Sequence, residues 1–271
     1  MFRTRFVLPA AALFAIPAFA QQGGTGFAPA DLNQAPFEFA TAEQGGIRVE
    51  VVVDGLVRPF GLALLPNGDA LISERGGGVW LAAGAASATR PTGIDVIPVT
   101  GAPERGAGRG RGLHDLVAHP DFDRNGLVYY SVNSPGPDAG GQPTSIINLV
   151  RARYSDGALS NTEILFRGEP ASGGSGSRIA FAGNDLLYMT TGAPFGDEAQ
   201  SLANVYGKVL RMTEEGEVPR DNPFVETAGA RGEVFSLGHR DQLGLTVHPQ
   251  TGAVLAVEHG PNGGDEVNLI L

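Results

Sequence analysis

Gly61-Leu62-Ala63-Leu64-Leu65-Pro66-Asn67-Gly68-Asp69-Ala70-Leu71-Ile72-Ser73-Glu74 holds two short apolar runs around a Pro-Asn-Gly-Asp reversal. Proline presets φ, Asn and Asp bond their own backbone, and Gly accepts positive φ, so this junction reads as a tight turn. Alternation within the runs, as at Leu62, Leu64 and Leu71, has the period of a β-strand. The same unit recurs from Gly112 to Ser131, with His119-Pro120 and Asn125-Gly126 at the turn. It recurs again from Gly176 to Thr191 around Gly183-Asn184-Asp185, and from Gly244 to Glu258 around His248-Pro249 and Gly252. The starting glycines lie 51, 64 and 68 residues apart, the spacing of four-stranded blades with insertions. An all-β chain built as a β-propeller over residues 47–271 is therefore expected; a β-sandwich is the competing architecture.

Composition agrees with many turns and short strands. The 271 residues include 40 glycines and 19 prolines, and no stretch carries a long helical period. With no cysteine, disulfides, thiolate metal sites and a cysteine nucleophile are excluded. A formal charge of −10 argues against nucleic acid or an anionic membrane as partner, because phosphate binding needs clustered Lys and Arg. At the N-terminus, Arg3 and Arg5 precede an apolar run that ends Ala18-Phe19-Ala20, the pattern of a cleaved signal peptide over residues 1–20. A flexible leader rich in Gly, Ala, Pro and Gln is expected over 21–46. The mature protein is then periplasmic or secreted, without a membrane span.

The densest polar signal lies between Gly232 and Asn268. One strand-like stretch leads into Gly238-His239-Arg240-Asp241 and Gly244-Leu245, and another ends in Glu258-His259-Gly260-Pro261-Asn262-Gly263-Gly264-Asp265-Glu266. Gly and Pro at strand ends free main-chain carbonyls for a hard cation, while Arg240 and the Asp265/Glu266 pair bring opposite charges to one rim.

These residues resemble the soluble quinoprotein sugar dehydrogenases of the glucose/sorbosone dehydrogenase family. Three earlier segments share the likeness: Gly55-Leu56 with Arg58-Pro59 and Gly61-Leu62; Gly112-Leu113 with His119-Pro120-Asp121-Phe122; and Tyr206-Gly207-Lys208-Val209-Leu210-Arg211 running to Asp221-Asn222-Pro223-Phe224. The resemblance implies an enzyme that oxidises the anomeric carbon of aldose sugars to lactones with PQQ and calcium, passing electrons to an external acceptor. It places calcium on the main-chain carbonyls of Gly260 and Pro261, and the cofactor against Arg240 and Asp241. The family closes six blades, so the sequence reads as C-terminally incomplete, with about four blades present; a closed four-blade ring would need the leader to finish the last one.

Departures from the family pattern bear on catalysis. The position of the family's catalytic base, a His, falls on Gly174, and no histidine lies between His119 and His239. Asp241 stands where the family has Asn, and Arg109-Gly110-Arg111-Gly112-Leu113 lacks the family's Gln. Arg109, Arg111 and His114 are candidate replacements at the mouth. The alternative function is a catalytically eroded extracytoplasmic propeller that binds carbohydrate or protein.

Other residues have plainer readings. Asp121-Phe122-Asp123-Arg124-Asn125-Gly126 begins like a calcium loop, but Val132 occupies the twelfth position where a bidentate Glu is required, so a β-turn is expected. His119 and His248 are read as turn residues. For His259, orienting its loop and performing chemistry stay equally open, and Asp265 and Glu266 could ligate calcium or solvate the strand. Arg75-Gly76-Gly77-Gly78 reads as a turn, Trp80 as packing, and Ser175 and Ser177 lack the elbow of a serine hydrolase.

Overall fold

The computed structural model describes residues 31–271 apart from 44, 87–92, 104–111, 173–175, 184 and 194–195. The chain divides into two compact units, one ending at Val49 and the other running from Glu50 to Leu271. In the first, β1 (Phe37–Phe39) and β2 (Ile47–Val49) pair antiparallel, with Arg48 and Glu38 3.3 Å apart on the exposed ribbon.

Among the described residues, the second unit holds four antiparallel sheets whose strands follow chain order. The first blade comprises β3 (Pro59–Leu64), β4 (Ala70–Glu74), β5 (Val79–Ala82) and β6 (Ile97–Pro98). In the second are β7 (Gly112–Ala118), β8 (Leu127–Pro135), β9 (Ser145–Ser155) and β10 (Ala158–Arg167). The third has β11 (Ile179–Ala182), β12 (Leu186–Thr191), β13 (Lys208–Thr213) and β14 (Val234–Leu237), and the fourth has β15 (Asp241–Val247), β16 (Val254–His259) and β17 (Glu266–Ile270). The leading strands β3, β7, β11 and β15 pack one against the next, so the sheets radiate from a common line. This is the propeller that the repeat predicts.

Period-2 alternation builds the core between blades. Along β8, Val128 and Tyr130 enter a cluster with Ala63, Leu71 and Val79 of the first blade, while Tyr129 between them enters a cluster with Leu187, Met189 and Leu210 of the third. A strand covered on both faces is apolar at consecutive positions, which is why the run reads Leu-Val-Tyr-Tyr. Along β13 the division repeats: Leu210 and Met212 face the second blade, and Val209 joins Val254, Ala256 and Ile270 of the fourth.

Two details differ from expectation. In β3 the buried apolar side chain is Ala63, followed just past the strand by Leu65, whereas Leu62 and Leu64 are each 60% exposed. Four consecutive apolar residues satisfy a strand in either orientation, so alternation alone could not choose the face. The predicted β-turn after Asp121 is instead one helical turn, α1 (Phe122–Asn125), closed by Gly126 at φ 63 with its N–H on the Phe122 carbonyl.

Close packing at the axis explains why the repeat starts with glycine. A Cβ on Gly61 would lie 2.7 Å from the Leu116 nitrogen and 2.8 Å from Ser73 Oγ. Ser73 Oγ accepts from the Gly61 N–H at 2.8 Å and donates to the His114 carbonyl at 2.6 Å, joining the first blade to the second.

Candidate functional site

Arg178, immediately before β11, links all four blades near their line of convergence. Its Nε donates to the Leu243 carbonyl of the fourth blade at 2.7 Å. One Nη donates to the Phe60 carbonyl of the first at 2.9 Å and to Asp115 Oδ1 of the second at 3.2 Å. Asp115 Oδ2 accepts from the Ile179 N–H at 2.8 Å. Burial raises the Asp115 carboxyl from its usual value, against the opposing pull of that N–H and of Arg178.

Beside this link, the Phe60 ring lies under two guanidiniums, with Arg178 4.2 Å and Arg75 5.3 Å from its centroid. His114 meets the same ring edge-on at 5.6 Å. Its Nε2 is 2.8 Å from Asn133 Nδ2, while its buried Nδ1 has no hydrogen-bond partner among the described residues. Burial, followed by the positive charges of Arg75 and Arg178, pushes the His114 imidazole down to about 3. The ring stays neutral, so it is no cationic clamp.

This makes His114 a source of acid sensitivity. Its folded-state pKa lies below the ordinary 6.5, so the unfolded chain binds the extra proton between those values. The stability contribution is complete above pH 6.5 and declines as pH falls toward 3. By pH 5 the loss should reach about 2 kcal/mol. Thermal melts of wild type and His114→Gln from pH 7 to 4 check this: the wild-type profile should fall more steeply, and parallel profiles would refute the assignment.

The 239–241 and 258–266 segments meet through strand pairing, because Asp241 of β15 faces His259 of β16. Asp241 Oδ2 lies 3.1 Å from His259 Nε2. The Arg240 N–H donates to Glu258 Oε2 at 2.8 Å, and His239 Nδ1 is 3.2 Å from Glu258 Oε1. Ser236 Oγ holds the other His239 nitrogen at 2.8 Å. Burial works to raise the Glu258 carboxyl, but the bonds from His239 and the Arg240 N–H outweigh it and hold it below the usual carboxylate range. Glu258 thus fixes the backbone that presents Arg240 and Asp241.

Gly260 and Pro261 follow at the exposed rim, where the Gly260 N–H donates to Asp265 Oδ1 at 3.2 Å. The third blade also reaches this place. Gly176 sits at φ +43, and a Cβ there would lie 2.6 Å from Asp241 Oδ1. That buried oxygen has no hydrogen-bond partner among the described residues.

The structure therefore brings Arg240, Asp241, His259 and Gly260 together, with Gly176 against Asp241. Gly174, Arg109 and Arg111 lie outside the described residues. His119 is a turn residue: its Nδ1 accepts from the Asp121 N–H at 2.9 Å and its Nε2 is 2.7 Å from Glu214 Oε2. His248 Nδ1 accepts from the Gln250 and Thr251 N–H groups at its own turn. Trp80 packs with Ile72 and Leu56 on the first blade. Sequence reasoning missed Asp115 and the placement of Arg75 against Phe60; the available signals were a carboxylate in mid-strand within Gly-Leu-His-Asp-Leu-Val-Ala of β7 and a charged residue just past the end of β4. Among the described residues, no three His, Cys, Asp or Glu side chains form a metal-binding cluster. No helix among them is long and apolar enough to cross a membrane.

Comparison with known proteins follows the same map. The glucose/sorbosone dehydrogenase family model matches residues 56–271. The chain is 35% identical to aldose sugar dehydrogenase YliI of Escherichia coli over 230 residues, covering 82% of this chain and 59% of that protein. It is 28% identical to quinoprotein glucose dehydrogenase B of Acinetobacter calcoaceticus, covering 89% of this chain and 54% of that one. The PQQ-bound aldose sugar dehydrogenase structure from Streptomyces coelicolor superposes with a TM-score of 0.66 at 30% identity, over 82% of this chain and 62% of the other. The chain thus spans little more than half the length of these curated relatives, and it belongs to the glucose/sorbosone dehydrogenase family.

Proposed function

We propose that this chain forms the PQQ- and calcium-binding part of an exported quinoprotein that oxidises aldose sugars at the anomeric carbon to lactones, with electrons leaving to an external acceptor. The observation that carries the reading is the Asp241–His259 pairing, which sets Arg240 beside the Gly260-Pro261 rim on neighbouring strand ends. The Arg3, Arg5 and Ala18-Phe19-Ala20 pattern supports export.

The residues present fit an anionic cofactor. Arg58, Arg75 and Arg178 lie close enough that each of the other two lowers the Arg75 guanidinium, after burial as the main cause and against the opposing effect of Asp241. Nearby carboxylates are already engaged: Asp115 with Arg178, and Asp241 with His259. Positive charge is left over for a polycarboxylate. For calcium, the Gly260 and Pro261 carbonyls are hard oxygen donors, but the ion takes about six to eight oxygens, so water and cofactor must complete the set.

When bound, PQQ supplies the two-electron acceptor and calcium the Lewis acid that polarises it. Arg240 grips a cofactor carboxylate; Glu258 holds the Arg240 backbone in place; Asp241 and His259 line the same rim. The hydroxyl proton of the sugar needs a base, and the aligned position is Gly174. That substitution favours a second reading, a propeller that retains the cofactor cradle but turns over slowly or not at all.

Reconstitution tests both. Purified full-length chain with PQQ and calcium should quench on binding, lose the effect with a calcium chelator, and reduce dye in the presence of aldoses. Binding without dye reduction selects the second reading. Absence of both binding and turnover sinks the enzyme assignment.

A further inference from the structure

The arginines around the opening are not equivalent. Arg178 is committed to Leu243, Phe60 and Asp115. Arg75, just beyond β4, is tied to Arg58 through its own backbone: the Arg75 N–H donates to the Arg58 carbonyl at 3.0 Å. Its guanidinium rests on the Phe60 ring, yet among the described residues its side chain makes no hydrogen bond or salt bridge. The acid whose charge reaches it, Asp241, already pairs with His259 at 3.1 Å.

Arg58 adds a second observation. It sits at φ 55, a left-handed conformation that is costly for a residue with a side chain and that concentrates at ligand sites. Two like charges are thus held together, one half-buried and one on strained backbone, without an acidic partner of their own among the described residues. An arriving anion would relieve that repulsion, and a planar guanidinium fixed on an aromatic ring presents a fork suited to a carboxylate.

We propose that Arg75, supported by Arg58, binds a carboxylate of an anionic ligand in the central opening. Identification of that ligand as PQQ rests on the function proposed above; the anion site itself rests on this geometry. Arg75 would then clamp the ligand from the first blade, in addition to Arg240 from the fourth.

The test uses the full-length chain and two probes in calorimetric titration: PQQ with calcium, and benzene-1,3,5-tricarboxylate, a redox-inert polyanion. Arg75→Met should weaken binding by about 10- to 100-fold, as expected for a charge-assisted bond. Arg75→Lys should lose less, keeping charge but not the fork, and Arg58→Met should weaken binding more modestly. Arg124→Met, on an exposed helical turn, should change nothing. Thermal melts should show each variant folded.

If wild type binds PQQ and Arg75→Met binds it equally well, the inference is overturned while the cofactor reading stands. Should wild type refuse PQQ but bind the tricarboxylate in an Arg75-dependent way, the cofactor reading fails and the anion site stands. Failure of wild type to bind either anion overturns the site.

Discussion

Arg178→Met is expected to be the most destabilising single substitution near the axis, costing about 3 kcal/mol, because it leaves the Asp115 carboxylate buried without its cation. The loss falls at the low end of the range for broken buried pairs, since the Arg178 side chain is 24% exposed against 9% for Asp115. The carbonyls of Phe60 and Leu243 also lose a charged donor. For a domain of this size the melting temperature should drop by about 6–12 °C. Calorimetry and urea unfolding measure it. Arg178→Met/Asp115→Asn should be more stable than Arg178→Met alone, because the uncompensated charge is gone. A single variant that melts as wild type does would show that the four blades do not depend on this link.

Gly174→His is expected to raise aldose turnover by about 10²- to 10⁴-fold in chain reconstituted with PQQ and calcium, the usual contribution of a general base. The substitution returns a histidine to the position where the family resemblance places the base. Gly174→Gln, similar in bulk but unable to take the proton, should give no comparable gain. Cofactor affinity, followed by quenching, should stay within about threefold of wild type if the change acts on the chemical step alone. Equal rates for wild type and Gly174→His would mean that another group already serves as base, or that the chain does not use this chemistry.

Much of the architecture was legible because propeller turns carry local signals. Pro66-Asn67-Gly68 and His119-Pro120 mark reversals by backbone chemistry that needs no tertiary context, and doubly covered strands such as β8 announce themselves as continuous apolar runs. The orientation of β3 was not legible, since Leu62, Ala63, Leu64 and Leu65 are all apolar and only packing decides which pair turns inward. Asp123 and Arg124 likewise gave no sign that their turn would close as a helix.

The site divided along the same line. The meeting of the Arg240-Asp241 and His259-Gly260 segments was legible because a family motif and its strand-end glycines lie close in sequence. Arg178 contacts Phe60, Asp115 and Leu243 across separations of 118, 63 and 65 residues, and no local pattern encodes such meetings. Arg75 was hidden for a related reason: beside Gly76, Gly77 and Gly78 it reads as an ordinary turn, and only the radial packing of blades turns it toward the axis.

An experimental density map of the full-length chain with PQQ and calcium decides whether the central opening holds the cofactor. A calcium ion coordinated by the carbonyls of Gly260 and Pro261 is expected, with the cofactor's carboxylates against Arg240 and Arg75. Cofactor density on another surface, or calcium bound away from Gly260 under saturating conditions, would contradict it.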